Sequence, residues 1–464
     1  MPLATIYDAI VIGSSWGGRR LPMAFANAGR RVAVIERGHL GGTCVNVGCT
    51  PTKTMVASAR VAYLALRAAD YGVHAGSISI DMQALRKRKQ GIIEGARGRV
   101  ESGIKPVPGL DLLMGQAHFI APKTLEVHLR SGETQHLTAQ LIFVDVGARP
   151  APLTINGAER VSVLNSSSIM DLDAVPEHLL VIGGGYVGLE FGQMFRRFGS
   201  QVTIIQRNIR LVMNEDEDVC DGVAEILRED GITVLTKTTP EQVEQLSDGR
   251  IRLTVRTPDG ERRLTGSHLL AAAGRVPNTE DLALEAAGIE LDRNGYIQVN
   301  GRLETNVPGI FALGDVKGGP AFTHVSYDDF RVLRTNLLEH GRASIEDRVV
   351  PYTIFIDPQL GRVGMSENEA RKQGRNFRVA KLPMNNVVRA LETGETRGFM
   401  KAIVDADTQQ ILGCAILGAE GGEIMAIIQV AMMGNLPYTA LRGATFTHPT
   451  LAEGLNDLFM NLDS

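Results

Sequence analysis

Cysteine, tryptophan and long apolar runs are all scarce in this chain. No stretch of eighteen apolar residues occurs. The longest candidate, IMAIIQVAMMG at 424–434, is interrupted by Gln429 and reads as a buried helix rather than a membrane span. The first residues, MPLATIYDAIVI, lack the basic start, apolar core and cleavage site of a secretory leader, so the expected compartment is the cytoplasm. Charge of one sign is lacking too. A net charge of -4 leaves no basic excess for nucleic acid or an anionic membrane, and aromatics at 5% form no stacking platform. The run RKRK at 86–89 is expected to be a solvated helix face.

What is present points to a glycine-rich globular protein. With 464 residues, 51 glycines, 44% apolar and 22% charged residues, the chain is long enough for roughly three or four domains. The strand-like IYDAIVI runs into GSSWGG, then RLPMAFANAG and RVAVIE. This is the strand, glycine turn, helix and strand of a dinucleotide unit, with Glu36 where an acid holds a ribose. The turn keeps Gly13 and Gly18 but places Ser15 at the middle glycine position, followed by Trp16. Serine there is expected to weaken or shift the approach to a pyrophosphate without closing the site. Trp16 is expected to point away or to cover the bound group, and Pro22 to remove a helical hydrogen bond.

A second unit, LLVIGGGYVGLEFGQMFRRFGSQVTIIQ, satisfies the fingerprint with Gly183, Gly185 and Gly188. Gly13 to Glu36 and Gly183 to Gln206 both span 23 positions. Two matching units imply two dinucleotides and an electron relay between them. Gln206 stands where an NAD-preferring site places an acid, and Arg207 and Arg210 follow it. A neutral residue beside arginines favours the 2′-phosphate of NADP, with NAD use left open.

Two of the four cysteines, Cys44 and Cys49, lie together in GGTCVNVGCTPTK; Cys220 and Cys414 stand apart and read as small buried residues. No set of four ligands assembles around the pair and the histidines form no evident knuckle, so no metal site is expected. The flanking glycines allow close packing against a flat ligand, and a helix starting near Pro51 would favour a thiolate. A cycling disulfide beside a flavin fits best.

Taken in order, GGTCVNVGCTPTK, VIGGGYVGLE, AAAGRVPN, FALGDV and FTHPTLAEGLN resemble the flavin-dependent pyridine nucleotide–disulfide oxidoreductases over essentially the whole chain. The resemblance implies an α/β fold with two Rossmann-like domains, for FAD and NAD(P), and a C-terminal α+β dimerisation domain. The expected boundaries are 1–150 for FAD, 151–270 for NAD(P), 271–345 for a central part completing the FAD site and 346–464 for the interface domain. Cys49 would face the flavin and Cys44 would attack the substrate. FAD would be held by Gly13, Ser15, Gly18, Glu36, Gly42, Thr43 and Asp315. Gly183, Gly185, Tyr186, Gly188, Gln206, Arg207 and Gly274 would serve the nicotinamide nucleotide, with Tyr186 covering its empty site. Lys53 would pair with Glu190 near the flavin. His448, oriented by Glu453, would be the acid–base toward Cys44 of the other subunit of a homodimer, so each substrate site would be shared.

The same resemblance implies electron transfer from NAD(P)H through the disulfide to a small acceptor, in either direction. Several subgroup features are missing. The chain has no C-terminal cysteine pair, keeps a histidine where mercuric reductases carry tyrosine, and keeps the first redox cysteine that soluble transhydrogenases lack. Arg19 and Arg20 do not match the substrate arginines of glutathione reductase. The readings left open are a dihydrolipoamide dehydrogenase, a mercuric reductase, a quinone or oxygen reductase on the same fold, and a non-catalytic flavin-binding protein.

Overall fold

The computed structural model describes residues 4–105 and 107–462. The chain forms two compact units, one of Met1–Thr54, Arg86–Ala151 and Gly274–Arg348, the other of Met55–Leu85, Pro152–Ala273 and Val349–Ser464.

In the first unit, strand β1 (Thr5–Ile12) leads through the glycine turn into helix α1 (Trp16–Asn27) and then β2 (Val32–Glu36). β1 pairs in parallel with β2 on one side and with β5 (Thr134–Val144) on the other. The first half of β3 (Leu110–Ala121) continues the parallel sheet beside β2, and Ile310–Ala312 extends it beside β5. β3 and β5 run on past that sheet and pair antiparallel with β4 (Thr124–Leu129), forming a meander. β3 and β5 are long, because each pairs in parallel along one part and antiparallel with β4 along another. The inward residues of the three meander strands, among them Ala117, Phe119, Leu125, Val127 and Leu137, join a core with Ile10, Ile35 and Ile142. The short helix α2 (Gly42–Asn46) and α3 (Cys49–Leu66) carry the cysteines.

The second unit contains a parallel five-stranded sheet in the order Thr233–Leu235, Gln201–Ile205, His178–Ile182, His268–Ala271, Val163–Leu164. Helix α5 (Tyr186–Phe198) packs Leu189, Phe191 and Phe195 into the same core as Leu179, Val181 and Ile204. The last part of the chain forms a five-stranded sheet with antiparallel pairing, from Tyr352–Ile354 to Phe377–Pro383. Helices Gly421–Met433 and Gly454–Met460 bury Ile424, Ile428, Leu455 and Phe459 against it.

Helix Gly421–Met433 is the apolar run of the sequence, and its burial is one-sided: Val430 and Met433 are exposed. Among the described residues no helix is long and apolar enough to cross a membrane. The basic run also departs from expectation, since Lys89 on α4 (Met82–Ile104) is buried and Arg88 donates to the Thr54 carbonyl at 2.9 Å. Cys220 and Cys414 are buried, and burial pushes both thiols up to about 12.

Candidate active site

The two glycine turns can be compared atom by atom. Gly13 and Gly183 have φ of 104° and 115°, and a Cβ on either would strike a backbone oxygen at 2.3 or 2.4 Å. Gly188 lies so close that a Cβ would stand 2.0 Å from the Gly183 carbonyl oxygen; Gly18 would meet the Asp145 carboxylate at 2.3 Å. These four glycines are required by close packing and, at Gly13 and Gly183, by backbone conformation.

The middle position differs. Ser15 has φ -67° and ψ -168°, and Gly185 has φ -88° and ψ 176°, both ordinary extended backbone. Space for a Cβ at Gly185 is open. Serine therefore carries no backbone strain at residue 15. Its side chain turns aside, Oγ donating to Asp145 Oδ2 at 2.5 Å while the Gly18 amide donates to the same oxygen at 2.8 Å. Asp145 is fully buried, and desolvation pushes its carboxyl up to about 8.

Glu36 ends β2 buried, accepting from the Ser14 hydroxyl at 2.5 Å and the Gly38 amide at 2.6 Å. Oε2 also accepts from the Ser14 amide at 3.1 Å, which leaves Oε1, bonded only to Gly38 among the described residues, with acceptor capacity for a ribose. Asp315 follows the strand Ile310–Ala312 and lies 3.7 Å from Arg275; burial raises its carboxyl while Arg275 and Lys317 oppose that. Gly42, with φ 64°, packs against Ser15, where a Cβ would stand 2.9 Å from the serine Cβ. Thr43 follows it in α2. The first turn thus retains its glycines and the acid of a dinucleotide unit, while the Gly17 and Gly18 amides of the helix start are bonded to Ser326 and Asp145.

Cys44 lies on α2 and Cys49 is the first residue of α3; neither is in a disulfide. The two are hydrogen-bonded to each other. That bond and burial push the Cys44 thiol up, while bonds from Thr323 and from the Trp16 indole pull it down. Thr323 Oγ1 is also 3.5 Å from Cys49 Sγ. Trp16 therefore points neither to solvent nor into the turn. It is the first residue of α1, its indole bonds Cys44, and the Arg19 guanidinium stacks 3.9 Å from its ring centroid. Pro22 sits inside α1 without ending it.

In the second unit, His448 Nδ1 is 2.9 Å from Glu453 Oε2 and 3.1 Å from Oε1. A neutral imidazole so held donates from Nδ1 and keeps Nε2 as the free acceptor. Its side chain is 63% exposed and lines a pocket with Val387, Arg442 and Asn456. Glu190 is buried on α5 and accepts from the Phe355 amide at 2.9 Å; Lys53 lies on α3 in the first unit. Tyr186 opens α5, 36% exposed. Gly274 has φ 138°.

The ribose position is less simple than the sequence suggested. The Gln206 amide donates to the Arg210 carbonyl at 3.2 Å, and Arg210 is held by Asp221 at 3.0 Å and Glu217 at 3.2 Å. Arg207 is exposed and forms no ion pair with the described residues.

Two family models account for most of the chain: pyridine nucleotide-disulphide oxidoreductase over residues 7–329, and the dimerisation domain of that family over 350–459. The chain belongs to the pyridine nucleotide–disulfide oxidoreductases. It is similar to the probable pyridine nucleotide-disulfide oxidoreductase RclA of Escherichia coli (strain K12), 38% identical with 98% of each chain covered. It is also similar to a mercuric reductase of Staphylococcus aureus, 33% identical over 98% of this chain and 82% of that one. Among solved structures, the Cu(II) complex of the HOCl-induced flavoprotein disulfide reductase RclA from Escherichia coli superposes with a TM-score of 0.89. It is 36% identical, with 98% of this chain and 99% of that chain covered.

The protein is accordingly an FAD-dependent oxidoreductase of this family, with two dinucleotide-binding domains and a C-terminal dimerisation domain. Membership does not make Asp145, Trp16, Thr323, Ser326 or Asp329 legible. Ser326 accepts from the Gly17 amide at 3.2 Å, and Asp329, fully buried, from the Gly314 amide at 2.8 Å. The one sequence signal for Asp145 was a lone acid ending the apolar run LIFVD.

Proposed function

We propose that this oxidoreductase takes reducing equivalents from NADPH in preference to NADH and delivers them through a Cys44–Cys49 dithiol to a small disulfide. The observation that carries the reading is the contact of the two thiols with each other, with Thr323 and with the Trp16 indole. Gly13, Ser15, Gly18, Glu36, Gly42, Thr43 and Asp315 would hold FAD, which supplies two-electron transfer between the nicotinamide and the cysteines. Gly183, Gly185, Tyr186, Gly188, Gln206 and Gly274 would hold the nucleotide, with Arg207 facing the 2′-phosphate. Lys53 and Glu190 would form a pair beside the flavin.

On this reading the Cys44 thiolate attacks one sulfur of the acceptor and displaces the other as a thiolate, which His448 protonates. Cys49 then attacks Cys44, releasing the second thiol and closing the Cys44–Cys49 disulfide. The Glu453 contact supports this role, because it orients the imidazole. We assign His448 to Cys44 of the partner subunit, with a shared site in a homodimer. Exposed Val430, Met433 and Met460 in the dimerisation domain support a covered surface. The proposed division is 1–150, 151–270, 271–345 and 346–464, and the proposed compartment is the cytoplasm.

Two adjacent thiols also suit a thiophilic metal ion as acceptor, a second reading favoured by likeness to a mercuric reductase and to a Cu(II)-complexed reductase. Rapid-mixing spectroscopy of Cys44→Ser and Cys49→Ser tests the main reading, with oxidised glutathione, lipoamide, quinone and mercuric ion as acceptors. Both variants should retain flavin reduction by NADPH and lose disulfide turnover; only Cys49→Ser should lose the long-wavelength thiolate–flavin band. Normal disulfide turnover in both variants would refute the dithiol route.

A further inference from the structure

The meander carries a cluster that the oxidoreductase chemistry does not use. Of the ten histidines in the chain, three meet there around one carboxylate: His118 on β3, His128 on β4 and His136 on β5, with Glu126 on β4. Strand register sets this arrangement. His118 lies directly opposite Glu126, Glu126 opposite His136, and His128 lies two residues along β4 on the same face. The alternating neighbours Ala117, Phe119, Leu125, Val127 and Leu137 are buried on the other face. A slip of one residue would drive the imidazoles into the core, so the cluster is pinned by the same pattern that builds the sheet.

The donor atoms converge. Glu126 Oε1 is 3.3 Å from His118 Nε2 and 3.2 Å from His128 Nε2, and these three atoms lie within 4.8 Å of one another. Ligands about 2.0–2.1 Å from a tetrahedral ion stand about 3.4 Å apart, which the two carboxylate–imidazole separations approach. The supporting contacts are also in place. Thr134 Oγ1 is 3.0 Å from His128 Nδ1, which leaves Nε2 for a ligand, and His136 Nε2 is 2.8 Å from Glu126 Oε2. The His118 and His128 rings lie 5.4 Å apart and tilted by 30°, so neither blocks the other.

We propose that His118, Glu126 and His128 form a binding site for a divalent first-row transition ion, with water completing the coordination. His136 and Thr134 orient the ligands. Two imidazoles and a carboxylate suit Cu(II), Zn(II) or Ni(II), whereas Ca(II) and Mg(II) take oxygen ligands. The affinity order places Cu(II) first. Bound there, the ion joins β3 to β4, and His136 links the carboxylate to β5. It stabilises the folded state by mass action.

The test uses full-length, FAD-loaded protein with Cys44→Ser and Cys49→Ser, which removes competing thiolates, after treatment with a chelator. Zn(II) is titrated by calorimetry, and Cu(II) is added for electron paramagnetic resonance. We expect one ion per chain and nitrogen hyperfine lines from imidazole. Adding His118→Asn and His128→Asn should abolish both signals at unchanged flavin content. Glu126→Gln provides a second, milder removal of a ligand. Thr134→Val, which removes only an orienting contact, should weaken Zn(II) binding by about 10- to 100-fold. Equal stoichiometry and affinity with and without the histidines, or Cu(II) spectra without imidazole nitrogen, would overturn the site.

Discussion

Ser15 and Asp145 form a buried hydrogen-bonded pair, serine Oγ to carboxylate Oδ2 at 2.5 Å, in place of the glycine that the first fingerprint lacks. The pair gives the altered turn a measurable signature. Desolvation holds the Asp145 carboxyl up to about 8, above the ordinary carboxylate value of about 3.9 in the unfolded chain. Between those values the folded state binds the extra proton. Its contribution is fully present below about pH 4 and is lost as pH rises toward 8, with a slope of up to about 1.4 kcal/mol per pH unit. Asp145→Asn should flatten that slope in urea unfolding measured from pH 5 to 8. An unchanged slope in the variant would remove Asp145 as its source.

Trp16→Phe should keep the ring under Arg19 while deleting the indole donor to Cys44. Because that bond lowers the thiol pKa, its loss should move the pH–rate profile of the disulfide half-reaction to higher pH. A hydrogen bond to a charged sulfur corresponds to roughly tenfold in rate at neutral pH. Flavin reduction by NADPH should be untouched. An equal slowing of both half-reactions would mean that Trp16 acts only through packing.

His448→Ala should slow disulfide reduction by about 10²- to 10⁴-fold, the range of general acid–base catalysis. Glu453→Gln keeps the shape of the dyad but removes the carboxylate at 2.9 Å. It should produce a smaller loss in disulfide reduction while leaving flavin reduction unchanged. If Glu453→Gln lowered only the melting temperature, the carboxylate would be structural.

The second glycine turn separates two kinds of glycine. Gly188→Ala places a Cβ 2.0 Å from a backbone oxygen and should impair folding, whereas Gly185→Ser meets open space on extended backbone. Gly185→Ser should fold normally and raise the KM for the nicotinamide nucleotide. Calorimetric unfolding and steady-state kinetics read the two effects independently. A normal KM in Gly185→Ser would show that the pyrophosphate does not approach there.

Arg207→Ala should lower kcat/KM for NADPH and leave NADH use nearly unchanged, since Arg210 is already held by Asp221 and Glu217. A wild-type preference for NADH, or equal losses with both nucleotides, would end the NADP assignment.

The sequence by itself determined the elements whose information is local. Two glycine turns with equal offsets, a cysteine pair among glycines and an acid closing RVAVIE specify strand–turn–helix units and their chemistry, because a tight turn or close backbone approach permits few residue types. The family motifs carried the rest of the fold class. Tertiary structure alone decided what distant residues do to one another. Ser15 is compatible with the first turn because its backbone is ordinary extended and Asp145, just past the end of β5, accepts its hydroxyl. Trp16 reaches Cys44 because α1 starts where α2 packs, and Arg210, in a loop, turns to Glu217 and Asp221 on the helix Glu217–Glu229. The histidines of the meander illustrate the limit most plainly. His118, Glu126 and His136 are spread along three strands and share a face only once the antiparallel register is set by the buried residues between them. Spacing along a chain encodes what neighbours do; contacts across strands follow from burial and pairing, which no short motif records.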